Sequence, residues 1–173
     1  MKALILAAGE GRRLAPYSAG KPKTLVKIFG TTLLERMLDN LFFSGVREAV
    51  IVTGYKNHEI EALVGDNHKG LRISYVHNNV YNKTNNIYSV HLSRKKLGNT
   101  GFILINSDVL FHKKILDNLL LNRGKGIILS VDLREKLGEE EMKVRIEHNS
   151  IVGISKEIPA AEADGEYIGI TRI

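Results

Sequence analysis

KALILAAGEGRRLAPYSAGKPK, residues 2–23, is the stretch on which the fold turns. Its opening, Lys2–Ala8, is an apolar run ended by glycine, as expected of a strand buried on both faces. The fifteen residues that follow hold three glycines, two prolines, two arginines and two lysines. Two readings fit such a loop. One is an ordinary βα turn; the other is a phosphate cradle, in which Gly9 and Gly11 let backbone N–H groups approach an anion. The loop is not a dinucleotide fingerprint, because the third glycine of G-x-G-x-x-G would fall at Leu14. It is not a Walker A loop either, since Gly20-Lys21 is followed by Pro22. Arg12, Arg13, Lys21 and Lys23 weight the cradle, because arginine pairs make forked, charge-assisted bonds to phosphate oxygens. Pro22 stiffens the backbone that presents Lys23.

Outward from this loop, apolar spacing predicts a helix over Thr32–Ser44, with Thr31 or Thr32 as N-cap and Gly45 as its stop. Glu48–Thr53 reads as a second buried strand, His58–Val64 as a short helix and Leu71–His77 as a third strand. Asn86–Leu97 has helical periodicity through Ile87, Val90, Leu92 and Leu97. Gly101–Asn106 is the next strand, Lys113–Leu121 a helix and Gly126–Asp132 another strand. Lys143–Glu147, Ile151–Ser155 and Tyr167–Ile173 read as antiparallel strands. The alternation implies an α/β fold, a mostly parallel Rossmann-like sheet with helices on both faces. Ligands of such sheets sit outside the carboxyl ends of the strands. Gly9–Lys23, Thr53–Tyr55 and Ser107-Asp108 each follow a strand, so they are expected on one edge.

The chain has 173 residues, 43% of them hydrophobic and 25% charged, which predicts one domain with its own core. Its formal net charge is +6, yet the basic residues are scattered, Arg94-Lys95-Lys96 apart. That scatter argues against a nucleic-acid surface. The absence of cysteine excludes disulfides and thiolate metal sites. No apolar run approaches the roughly 20 residues that span a bilayer, and the strand-like segment after Met1-Lys2 reads as too short and too regular for a secretory signal. A cytoplasmic protein without membrane or nucleic-acid partners is expected. The abrupt end in YIGITRI predicts a single domain over residues 1–173 that continues past Ile173.

LAAGEGRRLAP followed by KPKTLVKIFGTTLLER resembles the signature of the nucleotidyltransferases that move an NMP from an NTP onto a phosphorylated small molecule. The family pattern G-x-G-x-R-[LM]-x-P, then P-K and a helix ending near E-R, is met by Gly9, Gly11, Arg13, Leu14, Pro16, Pro22, Lys23, Glu35 and Arg36. The resemblance extends through VTGY (Val52–Tyr55), NSDVLF (Asn106–Phe111) and ISKEI (Ile154–Ile158). It implies a nucleotide site from Leu6, Ala8, Gly9, Gly11, Arg13, Lys23, Gly54, Asn85 and Ser89, with Arg13 and Lys23 on the triphosphate. Asp108 is the implied ligand of Mg²⁺, a hard ion satisfied by one or two carboxylates plus phosphate oxygens. A second acidic ligand of the family type has no counterpart before Ile173; Asp164 and Glu166 do not match its spacing. Lys156 corresponds to a lysine that holds the acceptor phosphate in sugar-phosphate relatives, with Ser155 where Glu is usual, and Lys143 is its rival. Arg13, Lys23 and Lys156 are the implied catalytic set; Asn86, Lys143, Lys156 and Glu166 the implied acceptor contacts.

One of Asn85 and Asn86 is expected to cap the following helix while the other faces the pocket. NNIYS (Asn85–Ser89) and GEYIGI (Gly165–Ile170) resemble the branch that makes CDP-linked products: phosphocholine, aminoethylphosphonate and inositol-phosphate cytidylyltransferases. The implied reaction is transfer of CMP from CTP to a small phosphorylated or phosphonate acceptor with release of pyrophosphate. Two alternatives stay open: a sugar-1-phosphate uridylyl- or thymidylyltransferase, and an inactive nucleotide-binding regulatory module. A homo-oligomer is also left open. Tyr17, Tyr81, Tyr88 and Tyr167 are available to a cationic acceptor, and each is equally a half-buried packing residue.

Overall fold

The computed structural model describes residues 1–11, 20–134 and 136–173. The expectations for Arg12, Arg13, Leu14, Pro16 and Tyr17 lie outside the described residues. In chain order the elements are β1 (Lys2–Ala7), β2 (Lys27–Ile28), β3 (Thr31–Thr32), α1 (Leu33–Phe43), β4 (Glu48–Thr53), α2 (Asn57–Val64), β5 (Asn67–His68) and β6 (Leu71–His77). They continue with α3 (Asn86–Leu97), β7 (Phe102–Asn106), α4 (Lys113–Leu121), β8 (Ile128–Asp132), β9 (Lys143–Glu147), β10 (Ser150–Ser155) and β11 (Gly165–Arg172).

Among the described residues nine strands form one sheet, in the order β10-β9-β11-β7-β1-β4-β6-β5, with β8 attached to β11. Its centre is parallel: β1 pairs with β4 and β7, and β4 with β6. The side chains of β1 alternate between two cores, as the strand period requires. Ala3, Ile5 and Ala7 face α1, α2 and α4 through Leu34, Leu38, Ile60 and Leu116, whereas Leu4, Leu6 and Ala8 face α3 through Leu97 and Val90. The expected two-sided α/β sheet is therefore present.

Three expectations are corrected. The Gly126–Asp132 strand begins at Ile128 and does not extend the parallel set; it runs antiparallel to β11, which lies between it and β7. In α3, Ile87 is 69% exposed, and the buried positions are Ser89, Ser93 and Leu97. Small hydroxyl side chains make that inner face, with Ser93 Oγ bonded back to the Ser89 carbonyl, so an apolar stripe misplaces it. Asn85 occupies the N-cap of α3, but its side chain makes no cap hydrogen bond.

Candidate functional site

The parallel register sets the carboxyl ends of three strands side by side. Ala7 is opposite Thr53 across β1 and β4, and Leu6 opposite Asn106 across β1 and β7. The loops after these strands meet there. Lys23 Nζ donates to Asp108 Oδ2 at 2.7 Å, across 85 residues of sequence. The Asp108 side chain stays 43% exposed, so its carboxylate faces solvent while anchored to the lysine. Pro22 precedes the single helical turn Lys23–Leu25 that carries this ammonium.

Glycine is required at two points. Gly11 has φ 67°, and a Cβ there would lie 2.6 Å from Lys23 Cβ, so the glycine loop and the lysine are in direct contact. A Cβ on Gly54 would lie 2.7 Å from the Ala8 carbonyl oxygen and 2.8 Å from the Tyr81 ring. Tyr55 stitches the same region together: its N–H donates to the Ala8 carbonyl at 3.0 Å and its hydroxyl to the Gly20 carbonyl at 3.2 Å. Gly9, Glu10 and Gly11 on one side and Tyr81 and Asn82 on the other line a shallow, open cavity of about 250 Å³.

Leu6 and Ala8 are buried in the core that faces α3. Ser89 is also buried, and its hydroxyl accepts from Asn78 Nδ2 at 3.2 Å. Asn85 lines a second, open depression of about 650 Å³ with Asn82, Lys83, Thr84, Ile87, Tyr88 and His91. Asn86 is exposed at the first turn of α3.

The return strand adds a second group. β11 pairs with β7 only over Ile170–Arg172, so Gly165–Gly169 runs past the carboxyl end of β7. Gly169, at φ 80°, packs there against Val109 and Asn106. Glu166 lies opposite Lys143 of β9 and Asp132 of β8, and it accepts from Arg134. Lys143 is 3% exposed and donates to the Lys156 carbonyl at 2.6 Å. The Lys156 ammonium is outside, on Glu140 at 2.9 Å. Of these two rival lysines, one is thus enclosed and braces the other's backbone. Asp164 accepts from the Ile146 N–H at 2.6 Å.

Sequence reasoning assigned nothing to Asn78 and Asn82, and offered Tyr81 only to a cationic acceptor or to packing, although NNVYN directly follows a strand and precedes α3. Among the described residues no cluster of three or more His, Cys, Asp or Glu side chains forms.

The family model described as nucleotidyl transferase matches residues 2–127. A CMP-5'-(3-aminopropyl)phosphonate synthase from Streptomyces rubellomurinus is 37% identical over 119 residues, which is 69% of this chain and 19% of that protein. A choline-phosphate cytidylyltransferase from Streptococcus pneumoniae is 34% identical over 118 residues, 68% of this chain and 49% of that one. The chain thus spans half or less of these relatives. The solved inositol-1-phosphate CTP transferase from T. maritima superposes with a TM-score of 0.86 at 27% identity, covering 99% of this chain and 69% of that one. Nucleotidyltransferases of sugar phosphates are similar to the chain as well.

Proposed function

Because this chain belongs to the nucleotidyl transferase family, we propose that it transfers CMP from CTP to a small phosphorylated or phosphonate acceptor and releases pyrophosphate. The observation that carries this reading is the contact between Lys23 and Asp108, 2.7 Å apart beside the Gly9–Gly11 cavity. A cation and a carboxylate in that position meet the two needs of the reaction, charge neutralisation on a triphosphate and attachment of a divalent ion. The similarity to cytidylyltransferases of phosphonate, choline phosphate and inositol phosphate supports CTP as donor.

The residues fit Mg²⁺. Asp108 offers a hard, solvent-facing carboxylate, and the ion needs only one or two of these beside phosphate and water oxygens. Asp108 would hold the ion, which when bound would supply Lewis-acid neutralisation of the phosphate charge. An oxygen of the acceptor phosphate attacks the α-phosphorus, and the bond from that phosphorus to the oxygen bridging to the β-phosphate breaks, releasing pyrophosphate. Lys23, drawn from Asp108 to the phosphates, stabilises the charge on the departing pyrophosphate. The backbone of Gly9–Gly11 follows the triphosphate, and Arg13 adds a forked cation to it. Lys156 leaves Glu140 to hold the acceptor phosphate, with Asn86 and Glu166 on the acceptor's remaining polar groups. Lys143 supports it from beneath. The protein works in the cytoplasm, without nucleic acid or membrane as partner.

Lys23→Ala is expected to weaken nucleotide binding by about one to two orders of magnitude with the melting temperature unchanged. Asp108→Ala is expected to abolish Mg²⁺-dependent turnover in a folded protein. Unchanged nucleotide affinity in the first variant, or normal Mg²⁺ dependence in the second, contradicts these assignments.

A further inference from the structure

Asn78 is the first residue beyond β6 and is 1% exposed. Its side-chain amide ties the turn segment that follows to α3. The Nδ2 group donates to Thr84 Oγ1 at 3.1 Å and to Ser89 Oγ of α3 at 3.2 Å, while Oδ1 accepts from the Val80 N–H at 3.1 Å. Its backbone N–H donates to the Thr53 carbonyl at the end of β4, and its carbonyl accepts from the Tyr81 N–H. Thr84 Oγ1 closes the circle by donating to the Val80 carbonyl at 3.0 Å.

The segment so tied, residues 79–84, contains no helix or strand. Val80, Asn82 and Lys83 are exposed. It is nonetheless the outer wall of the 250 Å³ cavity, through Tyr81 and Asn82. Tyr81 touches Gly54, and Asn82 lines the neighbouring 650 Å³ depression too. A wall made of turns keeps one shape only if a buried, fully bonded group holds it, and a satisfied buried amide is such a group. Among the described residues this wall offers the cavity an aromatic ring and a neutral amide, Tyr81 and Asn82, groups suited to the face and edge of a nucleobase.

We propose that Asn78 is a positioning residue: it fixes Tyr81 and Asn82 against the glycine loop and thereby sets which nucleobase the cavity accepts. This rests on the reading of that cavity as the nucleotide site. Asn78 itself does not touch the ligand. It acts through the wall, and Ser89 acts with it as an internal acceptor.

The test is calorimetric titration of the whole 173-residue chain and two variants with CTP, UTP and inorganic pyrophosphate, each with Mg²⁺. Asn78→Ala is expected to lower CTP affinity about tenfold and to bring the CTP-to-UTP ratio toward one, with pyrophosphate binding changed less than about twofold. Thr84→Val removes one acceptor at a half-buried position and is expected to lower CTP affinity about threefold, again sparing pyrophosphate. It decides the matter if Asn78→Ala does not fold. An unchanged CTP affinity in a folded variant, or equal losses for CTP and pyrophosphate, overturns the role given to Asn78 alone. A native chain that binds neither CTP nor pyrophosphate overturns the nucleotide reading with it.

Discussion

At the residue scale, Gly11 links the loop to the chemistry. It holds a left-handed φ of 67°, which costs a side-chain-bearing residue roughly 1–2 kcal/mol. The space its Cβ would need is taken by Lys23 Cβ at 2.6 Å. Both effects act on one substitution. Gly11→Ala is expected to lose about 1–2 kcal/mol of stability and to displace Lys23 from Asp108, so nucleotide affinity falls along with stability. Chemical denaturation and CTP titration of the same variant check this; a variant destabilised but binding CTP normally would separate Lys23 from the loop. Gly9 is the useful contrast, because a Cβ there meets nothing within 4 Å among the described residues. Ser89 is a different case. The family resemblance sets it among the nucleotide contacts, and in the structure it is buried with its hydroxyl bonded to Asn78.

At the element scale, α1 starts on a complete capping box. Thr32 accepts from the Glu35 N–H at 3.1 Å, and the Glu35 carboxylate accepts from the Thr32 N–H at 2.9 Å. The Thr32 hydroxyl also donates to the Glu35 carboxylate at 2.7 Å, and this bond together with that from the Thr32 N–H holds the Glu35 carboxyl below its ordinary value of 4.5. A depressed carboxylate contributes stability that is present above the unfolded pKa and is lost as the pH falls through the folded one. Thr32→Ala is therefore expected to cost about 1 kcal/mol at neutral pH, and the deficit should shrink below pH 4.5 as Glu35 takes up a proton. Urea melts at pH 7 and at pH 3.5 test it; a deficit independent of pH would contradict the coupling. An N-cap at Thr31 or Thr32 was legible in advance as a Thr before an apolar run, though not the return bond from Glu35, and so were the central strands and the four helices, whose patterns extend over five or more residues. Strands β2, β3 and β5, each two residues long, carry no period to read. The position of β8 was not legible either, because apolar content marks a strand but does not say that β11 will intervene between it and β7.

At the scale of the molecule, the parallel centre and the returning β11 bring distant segments to one edge. The glycine loop, Gly54 and Asp108 come from the carboxyl ends of β1, β4 and β7, as the alternation of strands and helices foretold. Lys143 and Glu166 reach that side because β11 overshoots β7, a long-range pairing with no local signal. The division of labour between Lys143 and Lys156 likewise needed three dimensions: a lysine in a short strand gives no sign that it will be enclosed against another's carbonyl. The central claim is that this edge binds CTP in preference to other nucleotides. The most direct measurement is calorimetric titration of the chain with CTP, UTP, dTTP and ATP, each with Mg²⁺. The account predicts that CTP binds most tightly, with the others weaker by at least about tenfold. Equal affinity for all four, or tighter binding of UTP or dTTP, would contradict it.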